Sequence, residues 1–479
     1  MKNDTIQKTI EDAQKALDED KTISLSMRAV FNMLILIIQA LCQKLNINSS
    51  NSSKAPSQDP NRSKQKRGKG ERKPGGQIGR TFVTLQPAAD PDVIQTISVD
   101  RNLYPEDLYK VVGYKARQVV DIEFRCVVTE YRAEIVEDAK GKQIIASFPD
   151  QVTRPIQYGA SVKEHVVFLS CAQFLPAERL LKQFHDQYKM ALSCGSVFNF
   201  IEEAVKRLEP FKKAAIYSLI NADVMNVDET GININKKTHW LHGASNGLWT
   251  WLEPHEKRGT KAMDAIGIIP KFSGVLVHDH LKAYFTYACQ HSLCNAHHLR
   301  ELTWSFEEDK QVWAGQMHDF LEELNVAAIE AGGVLTEDKA KPWFDRYHAI
   351  LEQGNKECPA TEPPQPEQNT KKKRGKVKQS KSRNLLDRLI NYEKEVLRFA
   401  REKEVPFTNN LGERILRMEK VKQKISGCFK SIETAKEHAV IRSYLLTCAQ
   451  NDVSCSDGLK LLFQGTFPKF ISDVLVNIP

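Results

Sequence analysis

Short apolar runs mark predicted strands in the middle of the chain. Residues 224–228 read VMNVD and residues 274–279 read GVLVHD, so two apolar strands each end on an aspartate. Between them, THWLHGAS and GLWTWLEP are two more strand patterns, joined by a tight turn at Asn246–Gly247. An amphipathic helix is predicted around Lys261–Ile268, and another near Leu281–Cys289. The middle of the chain is therefore predicted to form a β-meander, a helix, a strand and a helix.

Helical periodicity prevails on both sides of this region. Residues 4–46 are expected to form one helix with a short heptad seam of apolar side chains, made of Met27, Val30, Leu34, Ile37 and Leu41. The seam fits either coiled-coil dimerisation or packing of the helix on its own domain. Residues 311–331, 337–352 and 385–405 are also predicted helices, and residues 434–479 are predicted to be helical with turns.

Two short helices before the strands have the spacing of a helix-turn-helix unit. Glu178–Tyr188 is one amphipathic helix, and Ser193 is a suitable N-cap for a second helix at Gly195–Val205. The exposed face of the second helix would carry Ser196, Asn199 and Glu202. This face could contact DNA. The alternative is a helical hairpin that packs against the neighbouring domain.

These patterns predict an α/β chain of the mixed α+β, multidomain kind. The order of elements between residues 221 and 302 is that of an RNase H-like fold, which would place Asp228 and Asp279 on adjacent central strands. The predicted segments are an N-terminal helix and coiled coil (1–47), a basic arm (48–81), a small β-rich module (82–154), a helical DNA-binding region (155–220), the first part of the catalytic core (221–302), a helical insertion with a basic loop (303–384), the second part of the core (385–445) and a C-terminal helical segment (446–479).

Charge is moderately positive overall and strongly clustered. The 68 Lys and Arg outnumber the 60 Asp and Glu, for a net charge of +8. Such clusters fit contact with DNA phosphates, although solvated loops are the alternative. The predicted DNA-binding residues are Arg62, Lys64, Lys66, Arg67, Lys69, Arg72, Lys73 and Arg80 in the arm, Ser196 and Asn199 in the helical region, Lys371, Lys372, Lys373 and Arg374 in the basic loop, and Arg414, Arg417, Lys420 and Lys424 near the third acid.

Cysteine usage and hydropathy indicate the cellular compartment of the protein. The ten cysteines are scattered without a C-x-x-C pair, and no secretory signal is visible. The longest apolar run, Ala29–Cys42, is interrupted by Asn32 and Gln39 and is too short for a membrane span. We therefore expect a cytoplasmic protein, associated with the nucleoid when bound to DNA, with no membrane partner.

Three carboxylates stand where a metal site would need them. Asp228 and Asp279 close their strands, where an acid is unfavourable for the strand and costly to bury unpaired, but well placed to bind a cation. Glu413 follows a set of plausible helix caps at 408–410, which puts it in or near the first helical turn. Together they could hold hard divalent cations for phosphoryl transfer. The alternative is three unrelated surface acids, and Glu419 is a rival for the third position.

Four stretches resemble the landmarks of a known family. They read VDETGININKKTHWLHGASN, GVLVHDHLKAYFTY, CNAHHLRELT and FTNNLGERILRMEKVKQKISGCFKS. The chain resembles the DDE transposases of the IS66 insertion-sequence family from about residue 50 onward. The likeness is strongest over 224–302 and 385–445, and its motifs are long and occur in the family's order.

This resemblance implies a reaction and its residues. Asp228, Asp279 and Glu413 would be the family's D, D and E, which favours Glu413 over Glu419. The enzyme would cleave transposon ends and join them to target DNA, with two Mg²⁺ or Mn²⁺ ions held by the three carboxylates. Its partners would be double-stranded DNA, a second copy or more of itself, and accessory proteins of the same element. The alternatives are a non-catalytic DNA-binding regulator and an RNase H-fold nuclease that cuts without joining.

The family often carries a cysteine zinc site in the region that corresponds to the β-rich module. Here that module holds a single cysteine, Cys126, so we predict no zinc in it. Elsewhere, Cys294 and His297 with Cys289 lack a clear fourth zinc ligand. We favour a Cys294 that packs in the core and a His297 that begins a supporting helix. Strand alternation turns the histidines on either side of Asp279 away from it, so they are not predicted ligands.

Overall fold

A computed structural model of the protein describes residues 3–20, 22–46, 85–100, 102–361 and 377–478. The described residues form two compact units. The smaller unit comprises the described residues between 85 and 146, together with residues 184–190. The larger unit comprises the other described residues. Within the described part of the chain, no helix is long and apolar enough to cross a membrane.

The N-terminal region contains two helices, α1 (Asn3–Glu19) and α2 (Leu25–Asn46), so the prediction of one continuous helix was wrong. Local hydrogen bonds at the break explain the difference. The Asp20 carboxylate accepts from the backbone N–H of Thr22 at 2.7 Å, and Ser24 Oγ accepts from Met27 N–H at 3.3 Å. Such bonds from short polar side chains compete with helical hydrogen bonds. All five predicted seam residues of α2 are exposed.

The smaller unit has little regular structure. Strands β1 (Ile135–Glu137) and β2 (Gln143–Ile145) pair as an antiparallel hairpin, with Ile135 opposite Ile145. Among the other described residues from 85 to 146, none lies in a strand. The expected β-rich module is thus limited to one short hairpin. Its apolar side chains are exposed, because alternation along a strand buries them only when a second layer covers that face.

The remaining elements follow in chain order. The helices are α3 (Ala160–Val167), α4 (Ala177–Tyr188), α5 (Cys194–Arg207), α6 (Glu209–Ile220), α7 (Thr260–Ile266), α8 (Asn295–Glu307), α9 (Val312–Glu330), α10 (Glu337–Glu357), α11 (Lys381–Asn391), α12 (Glu393–Leu397), α13 (Asn410–Ser426), α14 (Ile432–Gln450), α15 (Cys455–Phe463) and α16 (Lys469–Asn477). The strands are β3 (Val224–Ile234), β4 (Lys237–Ser245), β5 (Thr250–His255), β6 (Val275–His278) and β7 (Gln290–Leu293).

A five-stranded mixed sheet in the order β5-β4-β3-β6-β7 lies at the centre of the larger unit. Strands β3, β4 and β5 form an antiparallel meander, and β6 and β7 join it in parallel. The predicted turn between β4 and β5 is confirmed: Asn246 Oδ1 accepts from Trp249 N–H at 2.8 Å, and Gly247 has a φ of +91°. The prediction of a helix near 281–289 was wrong, because this segment forms only a single 3₁₀ turn, at Tyr284–Thr286.

The described residues between the sheet and α13 are mostly helical, as predicted. Helices α8, α9, α10 and α11 enclose a buried apolar cluster centred on Trp313, Phe320, Tyr347 and Leu386. The predicted helix over 385–405 is divided into α11 and α12 at Tyr392, whose ring packs against other aromatic rings.

One face of the sheet is covered by α13 and α14. Their buried side chains, including Ile415, Leu416 and Ala439, pack against Leu241 and Leu252 of the sheet. Hydroxyls of α14 also occupy the outer edge of β5. Ser443 Oγ accepts from the Leu252 N–H at 2.8 Å and thereby satisfies a backbone donor of an edge strand. Helices α13 and α14 therefore cover one face of the sheet, and α14 also protects its β5 edge.

Helix α5 begins as predicted. Ser193 occupies the N-cap, and its side chain accepts from the Ser196 N–H at 3.0 Å. The buried side of α5, with Val197, Phe200 and Ala204, packs against α3 and α14. The helix is thus an integral part of the larger unit.

Candidate metal centre

Asp228 and Asp279 lie together at the point where β3 extends beyond β6. The parallel pairing of these strands ends at Asn226 and Val277, and Asp279 directly follows β6. Carboxylate oxygens of Asp228, Glu229 and Asp279 lie within 4.8 Å of one another. The expected proximity of the two aspartates is confirmed. Asp228 is not at the end of its strand, however, because pairing with β4 continues β3 to Ile234.

Burial and mutual repulsion both act against the charged forms of these carboxylates. Burial, followed by the charges of Glu229 and Asp279, raises the pKa of Asp228 from 3.8 to about 8. A hydrogen bond that Asp228 Oδ1 accepts from the Glu229 N–H at 2.8 Å opposes this rise in pKa. Several carboxylates that repel one another at short range form a site that a divalent cation would stabilise.

Glu229 is a member of the group that the sequence analysis did not identify. It is buried, and it accepts hydrogen bonds from Tyr284 Oη at 2.6 Å and from Arg258 Nε at 2.7 Å. Burial and the charge of Asp279 raise the pKa of Glu229 despite these two donors. Strand alternation points neighbouring side chains to opposite faces, so Glu229 was not expected beside Asp279. Only the position of Asp279 beyond the end of β6 allows both contacts.

Glu413 lies in the first turn of α13, as predicted. Its carboxylate groups with Cys294 Sγ and a ring nitrogen of His297, all within 4.8 Å of one another. It is not a member of the tight aspartate group, but its charge contributes to the raised pKa of Asp228. The Glu413 Oε1 atom is buried and has no hydrogen-bond partner among the described residues. Glu413 is therefore close enough to the aspartate group to interact with Asp228 electrostatically, although it belongs to a second cluster of possible ligands.

Asn409 attaches the start of α13 to the sheet. It occupies the N-cap position, but its side chain does not cap the helix, contrary to expectation. Instead, Asn409 Nδ2 donates to the Val227 carbonyl at 2.8 Å, and its Oδ1 accepts from Asn226 Nδ2 at 2.8 Å. A Cβ on Gly412 would lie 2.8 Å from Asn409 Oδ1, so a larger residue at that position would displace this amide. These contacts attach the first turn of α13, which carries Glu413, to the part of β3 directly before Asp228.

Glu419, the rival third acid, has a structural role. It is buried, and it accepts from His438 Nε2 at 2.9 Å and from Arg442 Nε at 3.1 Å. Burial alone would raise the pKa of Glu419, but His438 and Arg442 together lower it to about 2. Because both of its oxygens are engaged, Glu419 is unsuited to metal binding.

As the sequence analysis favoured, Cys294 packs in the core and His297 lies at the start of a helix. Cys294 is buried, and its Sγ accepts from the Asn409 N–H at 3.1 Å. Burial raises the pKa of its thiol. His297 lies in the first turn of α8. The third possible metal ligand beside Cys294 and His297 is Glu413 rather than Cys289. The neighbouring His278 is buried, with its Nε2 3.1 Å from Nδ1 of a histidine on β7.

The predicted DNA contacts divide into three groups. On α13, Arg414, Arg417 and Lys424 are exposed, whereas Lys420 donates to the Gly231 carbonyl and so helps to hold α13 on the sheet. On α5, Asn199 is exposed and Ser196 half-buried. The residues predicted in the arm and the basic loop, Arg62 to Arg80 and Lys371 to Arg374, lie outside the described residues.

Residues 155–437 match the Transposase IS66 family. The matched segment runs from just before α3 into α14 and includes Asp228, Asp279 and Glu413. The match thus places the chain in a class of proteins, the transposases. More specifically, the chain belongs to the IS66 transposase family, as its sequence motifs indicated. No curated protein matches the chain.

Proposed function

We propose that this protein is a DDE-type DNA transposase that cleaves transposon ends and joins them to target DNA in reactions that depend on a divalent metal. The observation that carries the proposal is the proximity of Asp228 and Asp279 on adjacent strands. Glu413 lies in the first turn of α13, whose N-cap residue Asn409 is bonded to Val227 of β3. The chain's membership of the IS66 family supports the same conclusion.

The sheet topology supports an RNase H-like catalytic domain. An antiparallel meander is followed by two parallel strands in the order β5-β4-β3-β6-β7. The first acid lies on the central strand β3, the second follows the adjacent strand β6, and the third lies on a helix that packs across the sheet. Helices α9 and α10 would form an insertion between the second and third acids.

The donor set fits hard divalent cations. Carboxylate oxygens are the ligands that Mg²⁺ and Mn²⁺ prefer, and Glu413 Oε1 is buried without a protein partner among the described residues. Asp228, Asp279 and Glu413 would hold two such ions. When bound, the ions would activate the attacking oxygen and stabilise the leaving 3′-oxygen of an in-line displacement.

The protein's own groups would orient the reactants. Asn409 and Gly412 would fix Glu413 relative to β3, and the bonds from Arg258 and Tyr284 would keep Glu229 in place. The exposed cations of α13 would contact DNA phosphates near the cleavage point. We further expect a dimer or larger assembly on two DNA ends, and accessory proteins of the same element.

Cleavage of the element's labelled terminal-repeat DNA with Mg²⁺ or Mn²⁺ tests this proposal. We expect metal-dependent nicking at the element end by the wild type, followed by strand transfer to a target duplex, and no nicking by Asp228→Asn. Asp223→Asn is a matched control, because Asp223 is an exposed aspartate just before β3. Equal cleavage by the wild type and Asp228→Asn would contradict the assignment of the carboxylates.

Two other outcomes would point to different functions. Specific DNA binding without cleavage, with all accessory components of the element present, would favour a transposase-derived regulator. Nicking without strand transfer would favour a nuclease. Either outcome would reject the proposal of a complete transposase.

A further inference from the structure

Two buried polar atoms face each other across the edge of the proposed site. His297 Nδ1 and Glu413 Oε1 are 3.9 Å apart, which is too far for a hydrogen bond. Neither atom has a hydrogen-bond partner among the described residues, although both are buried. Buried nitrogen and oxygen atoms are rarely unpaired in folded proteins, so such a pair requires an explanation.

The neighbouring side chains do not supply that explanation. Cys294 Sγ already accepts from the Asn409 N–H, and His298 Nδ1 contacts Asn295 Oδ1 at 2.9 Å. His280 Nε2 is also unpaired, but the ring of His280 packs edge-on against Tyr392, with ring centroids 4.6 Å apart. Aromatic packing accounts for the position of His280. No comparable contact accounts for the position of the His297 ring among the described residues.

A cation between His297 and Glu413 would satisfy both atoms. Metal bonds to histidine nitrogen and carboxylate oxygen are about 2.0–2.2 Å long, so one ion can contact two atoms up to about 4 Å apart. The separation of 3.9 Å lies at the upper end of this range. His297 is in the first turn of α8 and Glu413 in the first turn of α13, so both groups are carried by helices rather than by loops.

We propose that His297 is a nitrogen ligand of the divalent cation that Glu413 binds. This inference rests on the proposed function, and it adds a fourth protein ligand to the three carboxylates. An imidazole in the ligand set favours Mn²⁺ over Mg²⁺, because nitrogen ligands suit transition metals and all-oxygen sets suit Mg²⁺. His297 would therefore influence which metal the enzyme uses.

Electron spin echo spectroscopy of the full-length chain with one equivalent of Mn²⁺ tests the inference without an activity assay. A directly bound histidine nitrogen modulates the echo of Mn²⁺, and ¹⁵N labelling of histidine alone changes that modulation. We expect a nitrogen modulation that changes on labelling. Manganese bound with no nitrogen modulation would overturn the inference and leave the carboxylate site intact.

Three variants separate the outcomes. His297→Gln should lose the modulation, whereas the control His280→Gln should keep it. Modulation that persists in His297→Gln, or is lost only in His280→Gln, would overturn the inference. Asp228→Asn tests the underlying proposal instead: if Mn²⁺ binds this variant as tightly as the wild type, the proposed metal centre itself is wrong. If His297→Gln does not fold, the labelled wild type still keeps the inference falsifiable, because bound Mn²⁺ without a nitrogen modulation would overturn it.

Discussion

Two glutamates on α13, Glu413 and Glu419, show how the same residue type serves two purposes. Glu413, in the first turn, has a buried oxygen without a hydrogen-bond partner among the described residues and lies near Asp228. Glu419, less than two turns later, has both oxygens bound by His438 and Arg442. One carboxylate is left available for a ligand, and the other is neutralised by the protein.

This difference shows that surroundings, rather than residue type or helical position, decide the role of an acid. Glu413 adds its negative charge to those of Glu229 and Asp279 near Asp228, and this arrangement costs stability until a cation binds. Around Glu419 the neighbours are potential cations, and the arrangement stabilises the contact between α13 and α14. The contacts of Glu419 attach the middle of α13 to α14, whereas Glu413 at the start of the helix is left available for the proposed metal.

Replacement of Glu413 by Gln should give the largest effect. The variant keeps the shape of the side chain but loses the charge of a metal ligand. We expect cleavage of terminal-repeat DNA to fall on the order of a thousandfold, since a metal ion contributes several kcal/mol to transition-state stabilisation. The midpoint of urea denaturation should not decrease. Retained cleavage would show that Glu413 is not the third ligand.

Replacement of Glu419 by Gln should chiefly affect stability. Loss of its charge leaves Arg442 buried without a counter-ion, which costs about 3–5 kcal/mol of unfolding free energy. Urea denaturation at pH 7 measures this loss, with Glu352→Gln on the exposed face of α10 as a control. The folded fraction should retain cleavage activity. A variant that is as stable as the wild type would contradict the structural role of Glu419.

Removal of the Asn409 amide should have an intermediate effect on both properties. Asn409→Ala leaves the buried Asn226 side chain with an unpaired donor, which costs about 1–3 kcal/mol of stability. Cleavage should fall as well, because Glu413 is no longer held against β3. Gly412→Ala should act in the same direction by displacing the amide. The exposed neighbour Asn410 provides the control, and Asn410→Ala should match the wild type in both assays.

The pH dependence of stability should reveal the smallest and most specific contrast. The folded pKa of Asp228 is about 8 against an ordinary value of 3.8, so the unfolded chain releases this proton first and stability falls as pH rises from about 4 to 8. The pKa of Glu419 is lowered to about 2 from 4.5, so its contribution is present above pH 4.5 and is lost as pH falls toward 2.

Denaturation of the metal-free protein across this pH range measures both slopes. Asp228→Asn should remove part of the fall between pH 4 and 8, and Glu419→Gln should remove part of the fall below pH 4.5. Saturating Mg²⁺ should also reduce the fall toward pH 8, because cations compete with protons for the carboxylates. If Asp228→Asn left the neutral slope unchanged, the repulsion among the carboxylates would be much weaker than their geometry indicates.

Local patterns in the sequence were sufficient for many of the elements. Apolar runs and turn residues located β3, β6 and the turn after Ser245, and the cap at Ser193 located the start of α5. These features depend on interactions between residues a few positions apart, which a sequence displays directly. The long motifs of the IS66 family identified Asp228, Asp279 and Glu413 by their order along the chain.

Only the tertiary structure decided which side chains meet. Asn226 and Asn409 are separated by 183 positions, and neither periodicity nor composition relates them. The same applies to Glu229 beside Asp279, to His297 opposite Glu413 and to Lys420 on the Gly231 carbonyl. The sequence by itself determined which residues could bind a metal. Long-range packing of α8 and α13 on the sheet determined which of them face one another, because that packing depends on the shapes of whole surfaces rather than on the order of residues.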